Sequence, residues 1–93
     1  MESRKQLRAL FSGQVQGVGF RYTARSLASH FDVGGYVRNL PDGRVEIVAE
    51  GLEEELNGFL TALESSHLSG FIRSKQVNWD RPEGKYESFE IAV

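Results

Sequence analysis

Tyr36-Val37-Arg38-Asn39-Leu40-Pro41-Asp42-Gly43-Arg44-Val45-Glu46-Ile47-Val48-Ala49-Glu50 is the stretch on which the fold turns. Pro41-Asp42-Gly43 is a turn with a mechanism: Pro presets φ and Gly accepts a positive one. Val45, Ile47 and Ala49 then alternate with Glu46, Val48 and Glu50, so a strand pairs back on Tyr36–Leu40 as a hairpin. The flanks of this hairpin decide the topology. Upstream, Ala24, Leu27, Ala28 and Phe31 stand at i, i+3, i+4 and i+7, one face of a helix that starts near Tyr22 and that Gly34-Gly35 ends. Downstream of Gly51, Leu52, Leu56, Phe59, Leu60 and Leu63 form the stripe of a second helix. Glu53, Glu54 and Glu55 suit the positive end of its dipole. Asn57-Gly58 taken alone reads as a hairpin turn, but the 3.6-residue period outvotes it. Gly58 then costs that helix about 1 kcal/mol.

Outside the helices lie further strands. Leu7–Ser12 is the first, closed by Gly13. Gly70–Asp80 is the fourth, with Phe71, Arg73, Lys75, Val77 and Trp79 on one side and Ile72 opposite. Phe89, Ile91 and Val93 alternate in a final short strand. The order β-α-β-β-α-β plus a terminal strand is the split β-α-β pattern of an α+β, ferredoxin-like sandwich: a mostly antiparallel sheet with two helices on one face. Residues 1–93 read as one domain. The first two strands run parallel with the third between them, so the loop after the first strand and the end of the second share one edge of the sheet.

The chain carries 11 Lys+Arg, 13 Asp+Glu, two His and no Cys, a formal charge of −2. Without cysteine there is no disulfide framework, thiolate nucleophile or Cys-type zinc site. His30 and His67 are far apart, which argues against a His-rich metal cluster and reads as exposed helix and loop positions. No apolar run approaches the roughly 20 residues that span a bilayer. Met1–Gln6 has basic residues but no apolar run behind them, so no signal peptide is expected. A cytoplasmic monomer with no membrane or nucleic-acid partner is the expectation. The total conceals an asymmetry. Residues 1–44 carry seven basic and three acidic side chains, net +4; residues 45–93 carry four and ten, net −6. A basic first half focuses potential on an anion, or is chance distribution over solvated faces.

Gly13-Gln14-Val15-Gln16-Gly17-Val18-Gly19-Phe20-Arg21 joins the first strand to the first helix. N–H groups at a helix start have no intrahelical partner, and with the dipole they make an anion site. Arg21 stands at the positive end of the dipole, which disfavours a cation unless an anion lies between. Glycine-rich turns of this kind also occur simply as tight turns. The loop is not a Walker A motif, since no Gly-Lys-Ser/Thr follows, and it lacks the third glycine of a dinucleotide fingerprint. An RNA-recognition motif would need aromatics on the third strand, and Arg44–Glu50 has none. Asn39 precedes the turn, either as an Asx-type turn residue or as an amide that orients a water from that sheet edge.

Two motifs, Gly13-x-Val15-Gln16-Gly17-Val18-x-Phe20-Arg21 and Gly35-Tyr36-Val37-Arg38-Asn39-x-x-x-Gly43-x-Val45, resemble those of the acylphosphatases. With the element order, the resemblance covers nearly the whole chain. It implies hydrolysis of the carboxyl–phosphate bond of acyl phosphates to carboxylate and inorganic phosphate. It places phosphate binding on Arg21 and on the amides of Val15, Gln16, Gly17, Val18, Gly19 and Phe20, and orientation of the attacking water on Asn39. Departures are Gln14, where many members carry a basic residue, Phe11 in place of a common aliphatic, and Ser65–Phe71 where members often show a Gly-Pro turn.

The residue types suit that chemistry. The leaving carboxylate has a conjugate acid of pKa about 4, so no general acid is required. Phosphoryl transfer of this kind needs positioning and charge stabilisation, which makes a metal, cofactor or phosphoenzyme unnecessary. The residues alone also fit a phosphate- or anion-binding domain without turnover. The pairing of Arg21 with Asn39 favours the enzyme, because a binder has no use for a water-positioning amide.

Overall fold

The computed structural model describes residues 3–93; Met1 and Glu2, which begin the N-terminal segment read above, lie outside the described residues. The elements are β1 (Arg4–Gly13), α1 (Phe20–Ala28), β2 (Val33–Asn39), β3 (Val45–Leu52), α2 (Glu53–Glu64), a 3-10 turn (His67–Gly70), β4 (Ile72–Asp80) and β5 (Phe89–Ile91). The sheet order is β4-β1-β3-β2-β5. Only the β2–β5 pair is parallel. This is the expected ferredoxin-like α+β sandwich. Among the described residues no helix is long and apolar enough to cross a membrane.

Strand alternation sends one side chain in two toward the helices. Leu7, Ala9 and Phe11 of β1, Val37 of β2, and Val45, Ile47 and Ala49 of β3 meet Ala24 and Ala28 of α1 and Leu56, Phe59, Leu60 and Leu63 of α2 in one buried core. Each large side chain so buried contributes about 1.5–3 kcal/mol. Gly58, unfavourable to α2 by propensity, has a packing reason: a Cβ there would stand 2.6 Å from the Phe31 ring, which occupies the space.

The other face of the sheet has no helix, yet it buries two carboxylates. Glu46 and Glu50 are 1% and 2% exposed. Glu46 accepts from Arg8 Nε at 2.7 Å and Arg38 Nε at 2.6 Å. Glu50 accepts from Gln6 Nε2 at 2.8 Å and from the backbone N–H groups of Glu83 at 2.6 Å and Gly84 at 3.0 Å. The segment between β4 and β5 must travel from one edge of the sheet to the other, and it crosses this face. Glu50 pins it from below, and the Tyr86 ring lies 6.0 Å from that of Tyr36.

Burial pushes both carboxyls up. For Glu46 the Arg8 and Arg38 guanidiniums outweigh it, and for Glu50 the Glu83 and Gly84 N–H groups do, so both are held below the usual carboxylate range. A depressed folded-state pKa stabilises the fold above the unfolded value, near 4.5, and that stability is lost as pH falls through the folded value. Thermal unfolding should therefore shift steeply to lower temperature below about pH 4.5. Glu50→Gln, which cannot accept as a charged group, should narrow the difference in Tm between pH 7 and pH 3. An unchanged difference would show that Glu50 does not drive the acid response.

Several boundaries differ from the sequence reading, among them the start of β1, which lies at Arg4 rather than Leu7. The first helix begins at Phe20 and stops at Ala28; the N–H groups of His30 and Phe31 bond to the carbonyls of Leu27 and Ala28, so the chain turns without a glycine. Gly34 and Gly35 lie inside β2 rather than ending the helix. Their role is close approach: a Cβ on Gly35 would stand 1.9 Å from the Val48 carbonyl oxygen, and one on Gly34 2.7 Å from that of Tyr86. The fourth strand starts at Ile72, behind the 3-10 turn. The β1–β4 register shifts between Ser12 and Gly13, so Ile72 and Val77 both pack toward the core, although strict alternation separates them. The last strand ends at Ile91, and Val93 is fully exposed.

Candidate active site

Register brings the two predicted stretches together. Phe11 of β1 and Asn39 of β2 both pair with Val45 of β3, one from each side. The ends of the two parallel strands are thus level, about 10 Å apart at two strand spacings. Asn39 follows the parity of Val37, so it belongs to the helix-side face, where the chain leaving β1 returns as α1.

The intervening loop is tied at both ends. Val15 is fully buried, and the Phe20 ring lies 5.1 Å from that of Phe11, which seats the first residue of α1 on β1. Between these anchors Gly17 and Gly19 both take φ of 79°, a conformation that L side chains resist. The chain turns at Gln16-Gly17, and among the described residues no protein acceptor takes the N–H of Val15, Gln16, Gly17 or Gly19. These donors run into the orphan N–H groups of the first turn of α1, which contains no acidic residue.

A cleft of about 110 Å³ opens here, lined by Val15, Gly17, Gly19, Phe20, Arg21, Tyr22 and Asn39. Its size suits a phosphate-sized group rather than a whole drug-sized ligand, whose sites run to about 300 Å³ or more. A wider cleft of about 370 Å³ beside Gly13, Gln14 and Gly70–Arg73 contains neither Arg21 nor Asn39. Two predicted residues do not line the small cleft. The Val18 side chain packs on the core, and the Gln16 side chain bonds to the Leu40 and Arg44 carbonyls. One lining residue was not anticipated. Tyr22 is 67% exposed at the cleft, with the Arg25 guanidinium 5.6 Å from its ring centre. An exposed aromatic directly after the motif arginine is the feature that could have revealed it.

The charge asymmetry resolves into pairs. Lys5 meets Glu53, Arg8 and Arg38 share Glu46, and Arg44 meets Asp42. Much of the basic first half is thus neutralised, chiefly by acids of the second half. Arg21, like Arg4 and Arg25, has no carboxylate within 4.0 Å among the described residues, and of these three only Arg21 lines the small cleft. A half-buried arginine therefore stands with the donors of a helix start and without a carboxylate beside it.

The chain matches known proteins along nearly its full length. The acylphosphatase family model covers residues 7–91. The acylphosphatase of Archaeoglobus fulgidus is 49% identical over 81 residues, 87% of this chain and 90% of that one. That of Streptomyces coelicolor is 41% identical over 92 residues, covering 98% and 99%. The crystal structure of acylphosphatase from Bacillus subtilis superposes with a TM-score of 0.87 at 36% identity, covering 96% of this chain and 99% of that one. Sequence and fold agree over the same span, and the chain belongs to the acylphosphatase family.

Proposed function

We propose that this chain hydrolyses the carboxyl–phosphate bond of acyl phosphates, as a cytoplasmic monomer in which residues 1–93 act as one unit. The observation that carries the reading is the meeting of Arg21, which has no carboxylate partner among the described residues, with Asn39 in one small cleft at the start of α1. Family membership supports the same reaction.

The phosphoryl oxygens lie on the N–H groups of Val15–Phe20, whose dipoles point positive charge outward. The Arg21 guanidinium takes two of those oxygens through its planar fork. Together these groups hold the charge that spreads over the oxygens as the P–O bond loosens. The Asn39 carboxamide accepts from one water and donates to it, holding the water on the side away from the leaving carboxylate. The water oxygen bonds to phosphorus, the carboxylate departs with the bonding pair, and the water's proton passes to a phosphate oxygen. Asn39 is too weak a base to receive it. The carboxylate leaves unaided, so the scheme calls on no Lewis acid.

The test is release of inorganic phosphate from benzoyl phosphate. Turnover should be unaffected by EDTA, and inorganic phosphate should inhibit competitively. Tight phosphate binding with no turnover would leave a non-catalytic anion-binding domain, and activity lost to EDTA would require a metal in the mechanism.

A further inference from the structure

The two halves of the site ride on separate elements: the loop amides and Arg21 follow β1, while Asn39 ends β2. Asn39 pairs with Val45 in the last regular rung of the β2–β3 ladder. One step beyond, the Leu40 N–H donates to the Arg44 carbonyl at 2.8 Å, and the Gly43 N–H donates to the Leu40 carbonyl at 3.1 Å. Each carbonyl keeps a second lone pair. The Gln16 side chain fills both, its Nε2 donating to the Leu40 carbonyl at 2.8 Å and to the Arg44 carbonyl at 2.9 Å. A carboxamide has two N–H groups, and here both are spent. What remains is an acceptor oxygen, which has nothing to offer an anion, and Gln16 does not line the cleft.

We propose that Gln16 is a positioning residue for the reaction proposed above: it locks the phosphate loop to the rung beside Asn39, so that bound phosphate and oriented water keep one geometry. The loop's backbone bond in the other direction, from the Gln14 N–H to the Phe71 carbonyl at 3.0 Å, fixes it toward β4 and does nothing for Asn39. A reacting constellation tolerates errors of only about 0.5 Å, and misplacement by about 1 Å can cost on the order of 10²-fold.

The experiment is a double-mutant cycle in the full chain, with Gln16→Met, Asn39→Ala and the two combined. Gln16→Met keeps length and removes both donors. Its kcat on benzoyl phosphate should fall about 10- to 100-fold, with the inhibition constant for inorganic phosphate within about threefold of wild type, because the loop amides are untouched. Acting through Asn39, it should slow the Asn39→Ala background no further. A folded Gln16→Met chain with wild-type kcat, phosphate affinity lost in step with kcat, or two effects that multiply would each overturn the inference. Should the Met variant fail to fold, Gln16→Glu keeps the shape but sets a carboxylate against two carbonyl oxygens. Its kcat relative to wild type should rise as pH is lowered from 7.5 to 5 and the carboxyl regains a donor. A flat ratio would overturn the inference equally. A wild-type chain inert toward benzoyl phosphate would remove the hydrolase reading itself, whereas an active wild type with independent effects would remove only the role of Gln16.

Discussion

Arg21→Ala should lose about 10³- to 10⁵-fold in kcat/KM for benzoyl phosphate, the range an arginine commands when it faces a transferring phosphoryl group. The fold should not suffer. Arg21 has no carboxylate partner among the described residues and sits in the first turn of α1, where a cation opposes the helix dipole. Removing it costs no salt bridge and relieves an unfavourable charge worth about 0.3–1 kcal/mol at such a position. Thermal stability should therefore hold or rise slightly while activity collapses, an opposition that a structural arginine cannot produce. Arg21→Lys keeps the charge but not the planar fork, and should recover only part of the loss. A folded Arg21→Ala chain within tenfold of wild type would sink the assignment of Arg21.

Asn39→Ala should show a different pattern. A group that orients the nucleophile acts mainly after the phosphate is seated, so kcat should fall by about 10²-fold while inhibition by inorganic phosphate barely changes. Asn39 ends β2 in its paired rung with Val45, and its neighbour Leu40 is held by Arg44 and Gln16 rather than by the Asn39 side chain. The turn should therefore survive the substitution. Equal losses in phosphate affinity and kcat would recast Asn39 as a residue of the turn.

Much of this arrangement was legible from pattern alone. Alternation in Val45–Glu50 and the 3.6-residue stripe of Leu56, Phe59, Leu60 and Leu63 report burial directly, because the core selects apolar side chains at the period of each element. The meeting of Arg21 and Asn39 followed once β1 and β2 were known to run parallel about β3. What was not legible depends on contacts between residues distant in sequence. Gly34-Gly35 reads locally as a helix stop, yet it answers to Val48 and Tyr86. Glu46 and Glu50 alternate as an exposed face should, but Arg8, Arg38 and the segment after β4 cover them. The Gln16 amide could be counted among the loop's residues, but its two carbonyl acceptors appear only when the hairpin closes beside it.

The passage of the chain over the helix-free face has a consequence for how these molecules meet one another. A sheet's outermost strands offer unpaired backbone groups to any neighbouring chain. β4 faces solvent with Arg73 and Lys75, charges that discourage such pairing. β2 has a more apolar run, Val33-Gly34-Gly35-Tyr36-Val37, and the side of it away from β3 is capped by three-residue β5 and the bonds from Gly35 N–H to the Ser88 carbonyl and from Ala92 N–H to the Val37 carbonyl. So short a cap depends on the segment that delivers it, and that segment is clipped down by the Glu50 carboxylate. A single buried acid in the middle of the sheet thereby helps to keep the backbone groups of β2, next to the β5 edge, paired within the chain.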